Sequence, residues 1–80
     1  MSNIPDNPNA RLRRRSAAAA LTDSGYPTAC STLASKATRG GGPPYELYGR
    51  IPLYTWGPTL EWAKSRLSKP IRSTSEAEAA

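Results

Sequence analysis

A mostly α-helical domain with one small β-hairpin is what this sequence predicts, on three observations. Apolar residues recur at helical spacing around Leu21, around Leu33 and around Leu60. Gly25 and Gly40 punctuate the ends of the first two segments. Two short β-rich runs, YELY and IPLYTW, flank a Gly49–Arg50 pair. Eighty residues leave room for one domain, and one of that size hides only about 60% of the surface its unfolded chain exposes. The expected division is a disordered N-terminal arm over 1–11, rich in Asn and Pro, a folded unit over 12–68 and a flexible C-terminal tail over 69–80.

The first helix is read from RLRRRSAAAALTDSG: four alanines and Leu21 are good formers, and Leu12, Ala17, Ala20 and Leu21 share a face. Arg13, Arg14 and Arg15 stand at or before its first turn, where the helix dipole already presents positive charge. That placement makes sense if an external anion, such as a DNA phosphate, docks there. A solvated basic arm is the plainer alternative.

After Pro27, ACSTLASKATRG reads as a second helix, with small and hydroxyl residues suited to its start and Leu33 and Ala37 sharing a face. Away from Leu33 it offers Ser31, Thr32, Ser35, Lys36 and Arg39. Short and cationic side chains let a backbone approach a groove while donors reach base edges and phosphates. Taken alone, the same face reads as an ordinary polar surface. Cys30, near the start of this helix, reads as a small packed or half-exposed thiol.

RGGGPP lacks the Lys-Ser/Thr of a phosphate-binding loop and follows a helix, so it reads as a stiff exit aimed by Pro43 and Pro44. Gly49 then Arg50 suits a two-residue II′ hairpin turn, with Arg50 at the exposed tip. Pro52 confines its position to an edge or a turn. Alternation forbids Tyr45, Tyr48 and Tyr54 from all pointing inward, without fixing which does. In the last helix, Gly57 and Pro58 read as cap and first turn, Leu60, Ala63 and Leu67 as the apolar face, and Trp62 as core.

Charge and composition bound the chemistry. All eleven basic residues lie between Arg11 and Arg72, opposed there by Asp23, Glu46 and Glu61, so that stretch carries +8 against +5 for the whole chain. This density suggests a polyanion partner, nucleic acid or an anionic membrane face. No apolar run approaches the roughly 20 residues of a membrane span, and no signal-peptide core stands at the N-terminus. A cytoplasmic protein is expected. One cysteine and no histidine leave no disulfide, zinc cluster or Cys/His pair. Neither an enzyme, a metal nor a cofactor is expected.

Helix, turn, helix, Gly/Pro exit, hairpin with a basic tip, helix is the order of a small winged helix-turn-helix. From AAAALTDSG through STL, RGGGPP, YELYGR, LYTW and LEW, nearly fifty of the eighty residues resemble the excisionase and AlpA-type DNA-binding proteins, which share a MerR-like winged fold. Within them the chain looks most like the recombination directionality factors of rhizobial symbiosis islands. The resemblance implies that the second helix enters the major groove through Ser31, Thr32, Ser35, Lys36 and Arg39. Arg50 with Tyr48 then forms the wing, and Arg13, Arg14 and Arg15 contact phosphates. It further implies double-stranded DNA and a tyrosine integrase as partners, head-to-tail self-association on DNA, no membrane partner, and a nucleoid-associated bacterial location. Ile51, Thr55, Glu46 and Leu47 depart from the family's more basic wing. Two alternatives of the same fold stand beside excision: a transcriptional regulator, and a protein antagonist that has lost its DNA contacts.

Overall fold

The structure is a computed structural model that describes residues 3–68 and 70. In chain order it runs β1 (Arg11–Arg13), α1 (Arg14–Asp23), α2 (Cys30–Arg39), β2 (Glu46–Tyr48), β3 (Ile51–Thr55) and α3 (Trp56–Ser65). The three strands form one antiparallel sheet in the order β1-β3-β2. The chain is thus a small mixed α/β unit of three helices and a three-stranded sheet among the described residues. The hairpin expected from sequence is present, and it carries a third strand.

That strand corrects two expectations. Leu12, read as part of the first helix's apolar face, lies on β1 opposite Tyr54, and Arg11, read as the end of a disordered arm, pairs with Thr55. The preceding residues are tied down as well. The amide of Trp56 donates to the Ala10 carbonyl at 2.9 Å and that of Gly57 to the Pro8 carbonyl at 2.7 Å. These are first-turn amides of α3, which a helix cannot satisfy internally, so the N-terminal segment caps α3 with its own backbone. Gly57 is therefore inside the helix, with Thr55 as the N-cap. A Cβ on Gly57 would stand 3.2 Å from the Pro8 carbonyl oxygen, which explains the glycine.

The exit from α1 follows from Gly25, whose φ is 98°. Its amide bonds the Thr22 carbonyl at 3.1 Å and that of Tyr26 bonds the Leu21 carbonyl at 2.8 Å, the paired bonds of a Schellman motif. Thr22 then fastens the end of α1 to the loop before α2: its hydroxyl oxygen lies 3.2 Å from both the amide and the carbonyl of Thr28. The loop before α2 is thereby closed at both ends.

Leu21, Leu33, Tyr54 and Thr59 are the large, fully buried side chains. Burying each leucine contributes about 1.5–3 kcal/mol, a large share for so small a core. Ala17 and Ala18 pack with Leu33 and Tyr54, while Ala20 and Leu21 pack with Trp56 and Ala63; Leu12 and Trp62 lie against both groups. Thr59 keeps its hydroxyl satisfied by donating to the Thr55 carbonyl at 2.8 Å. Leu67, read as part of the core face of α3, is instead 64% exposed, because the helix ends at Ser65. No helix among the described residues is long and apolar enough to cross a membrane.

Candidate nucleic-acid interface

On α2 the buried Leu33 fixes which side faces out. Ser31, Thr32, Ser35 and Arg39 are exposed and Lys36 is half-buried. All five line one surface depression of about 290 Å³ with Gly40. The helix contains no carboxylate. Its N-cap is Ala29, which offers no side-chain acceptor to the first turn, contrary to the hydroxyl capping read from sequence. Lys36 and Arg39 occupy the last turn, where the helix dipole favours cations. Cys30 is an exposed free thiol at the first position.

Two contacts shape the exit from α2 beside Lys36. Trp62 on α3 donates its indole N–H to the Gly41 carbonyl at 2.9 Å, pinning the glycine exit. Gly42 then passes so close that a Cβ there would meet the Lys36 Cβ at 2.9 Å. Trp62 is accordingly both a packing residue and the tie between α3 and the end of α2; the sequence showed only the first role. Arg66 stacks over the same indole at 5.2 Å.

The hairpin turn comprises Gly49 and Arg50, since Tyr48 pairs with Ile51. The φ of Gly49 is 65° and, among the described residues, no residue other than glycine has positive φ, which is the sign pattern of a II′ turn. Arg50 is exposed at the tip and Tyr48 is 74% exposed. The pairing also fixes the parity left open above. Tyr54 points inward, 1% exposed, sharing its sheet face with Leu12. Tyr48 lies on the opposite face with Leu53, Glu46, Arg11 and Arg13. Tyr45, outside the strands, lies against the Tyr54 ring at 5.5 Å.

The three arginines gather at the start of α1, where Arg13, Arg14, Arg15, Ser16 and Pro52 line a second depression of about 410 Å³. Arg13 is the N-cap of α1, with no side-chain cap and no acid in the first turn. Arg13 and Arg15 are exposed, whereas Arg14 is half-buried and donates from Nε to the Tyr54 hydroxyl at 3.0 Å. Pro52 on β3 stands two residues after Arg50, about 7 Å along the chain, so this cluster borders the root of the hairpin. It is a separate depression from that of α2.

Sequence reasoning missed Arg11 and Ser16. Arg11 is exposed on the outer sheet face, where it lines a depression with Glu46, Leu47, Tyr48 and Leu53. The alternation Arg-Leu-Arg carried the signal, since period two is a strand pattern. Among the described residues the ion pair is Lys64–Glu61 at 3.7 Å on α3, so neither the α2 cations nor the arginine cluster has a carboxylate partner. No protein-family model, no curated protein and no solved structure matches this chain.

Proposed function

We propose that the chain is a non-enzymatic, sequence-specific DNA-binding protein of winged helix-turn-helix type, acting as an excisionase. In this reading α2 enters the major groove, Arg50 and Tyr48 form the wing, and Arg13 and Arg15 with Arg14 contact backbone phosphates. The observation that carries it is the α2 face. Five side chains suited to base and phosphate contact line one depression, and the helix that carries them has no carboxylate. A domain this small draws its affinity mainly from phosphates, so neighbouring copies on DNA would supply specificity. Leu47 and Tyr48 on β2, exposed on opposite faces of the sheet, each leave an apolar group for contact with such a copy. Binding of this kind bends an attachment site and directs a tyrosine integrase towards excision, in the cytoplasm and on the nucleoid.

The test has two stages. Fluorescence anisotropy with candidate-site and random duplexes over a salt series should show specific binding. Lys36→Ala and Arg39→Ala should each lower the slope of log affinity against log salt by about 1. Unchanged affinity and slope in both variants would remove α2 from the interface. Addition of the protein to integrase and an attachment-site substrate should then raise the yield of excised circle. No increase over integrase alone would reject excision and leave DNA binding to be explained by control of a promoter.

A further inference from the structure

We propose that Tyr54, which is buried and cannot itself reach DNA, is a positioning residue for the arginine cluster. Its hydroxyl holds Arg14 so that the outer edge of the guanidinium, beside Arg13 and Arg15, meets a backbone phosphate. The inference rests on the DNA-binding reading above.

Tyr54 is 1% exposed on β3, and its ring packs with Ala17, Ala18 and Leu33. The tyrosine is therefore as fixed as any side chain in the core. Its hydroxyl accepts from Arg14 Nε at 3.0 Å. The guanidinium carbon lies 5.9 Å from the ring centroid, so the group sits off the hydroxyl end of the ring, where the hydrogen bond dominates over attraction to the ring face. Arginine carries five N–H donors in a rigid plane. Committing Nε to Tyr54 fixes that plane and leaves the four Nη hydrogens for another acceptor, in the depression that Arg13, Arg15, Ser16 and Pro52 line.

Stability alone gives this arrangement a poor rationale. It gathers three cations at the positive end of α1, with no acid in the first turn. An anion in the depression reverses the sign of that effect, and a guanidinium held in advance loses less freedom when it binds. Tyr45, whose ring lies tilted against Tyr54 at 5.5 Å, makes no hydrogen bond to Arg14 and serves as an internal control.

The experiment uses the full chain with Tyr54→Phe, which keeps the ring and removes only the hydroxyl. DNA affinity is measured across a salt series beside Arg14→Gln, Arg14→Lys and Tyr45→Phe. Arg14→Gln should lower the salt slope by about 0.9, the value for one phosphate contact on duplex DNA, or roughly eightfold at 0.1 M salt relative to 1 M. Tyr54→Phe should reproduce most of that loss and Tyr45→Phe none of it, while Arg14→Lys, which keeps a cation able to neutralise a phosphate, should lose less of the slope than Arg14→Gln. Combining Tyr54→Phe with Arg14→Gln should cost no more than Arg14→Gln alone. A normal slope in Tyr54→Phe, or losses that add, would overturn the proposal. In the free protein, NMR should show the Arg14 Nε–H exchanging more slowly than in Tyr54→Phe; fast exchange in the unaltered chain overturns it as well. A protected Nε–H in a chain that binds no DNA would instead remove the DNA-binding reading, and the phosphate with it, while the Tyr54–Arg14 contact stood.

Discussion

Replacing Gly42 with alanine sets a methyl carbon 2.9 Å from the Lys36 Cβ. Carbon atoms rest at about 3.5 Å or more, so the glycine exit and the end of α2 must separate by at least ~0.6 Å. The tie one residue upstream, from the Trp62 indole to the Gly41 carbonyl, has a length of 2.9 Å, and a shift of that size along the bond stretches it to about 3.5 Å, where little of its strength is left. Overpacking costs about 1–3 kcal/mol and the lost bond about 1 kcal/mol. With each kcal/mol worth roughly 4–8 °C in a domain of this size, Gly42→Ala should lower the melting temperature by about 8–30 °C in a circular-dichroism melt. The obstructing atom is a Cβ, which alanine at position 36 retains. The penalty should therefore persist in Lys36→Ala and shrink in Lys36→Gly. A melting point within about 2 °C of the parent, or a penalty abolished by Lys36→Ala, would show that the glycine exit does not pack against the Cβ of Lys36 and would refute the steric account.

Leu33→Ala, at a fully buried position, should cost about 2–5 kcal/mol and leave much of the chain unfolded at 37 °C by circular dichroism. Gly49→Ala, forced to a φ of 65°, should cost about 1–2 kcal/mol and weaken the cross-strand Tyr48–Ile51 contacts seen by NMR. Arg50→Ala at the exposed tip should change stability by less than about 0.5 kcal/mol, yet on the proposed reading lower the salt slope of DNA binding by about 1. Sulfate should raise the melting temperature more than chloride at equal ionic strength; Arg15→Gln should lose the part due to the arginine cluster and keep the general salting effect.

What was legible in the sequence was local. The ends of α1 and α2 followed from Gly25 and Gly40, and the two-residue turn from Gly49 and Arg50, because each depends on neighbours a few residues away. The five-residue α2 face was readable for the same reason: once Leu33 is inside, helical geometry places the rest. β1 was missed because Arg11–Arg13 becomes a strand only by pairing with Leu53–Thr55, some forty residues on. Beside a basic helix start, the two-residue alternation around Leu12 looked like more helix. Gly57 was misread on a similar ground: Gly-Pro resembles a cap locally, whereas the cause of the glycine is the Pro8 backbone lying across the first turn. The face of Tyr54 needed the Leu12–Tyr54 register, and the tie from Trp62 to Gly41 spans 21 residues. Leu67 continued a correct spacing past the point where the helix stops.

The charges of α1 run against its dipole at both ends, arginines at the start and Asp23 at the finish, each placement costing up to about 1 kcal/mol. Two of these placements have internal compensation. Asp23 accepts from both the backbone amide and the side-chain amide of Asn3 at 3.0 Å, fastening the N-terminal segment, and Arg14 donates to Tyr54. Arg13 and Arg15 have no such partner among the described residues, although a glutamate in that first turn would have balanced them cheaply. Lys36 and Arg39 differ, since they sit at a favourable helix end and are explained in part by stability alone. The arginines at positions 13 and 15 are thus the cations that the fold itself leaves least accounted for. On the proposed DNA-binding reading, an anion supplied from outside would satisfy them, so the ionic part of that binding should depend on this cluster at least as strongly as on Lys36 and Arg39 of α2.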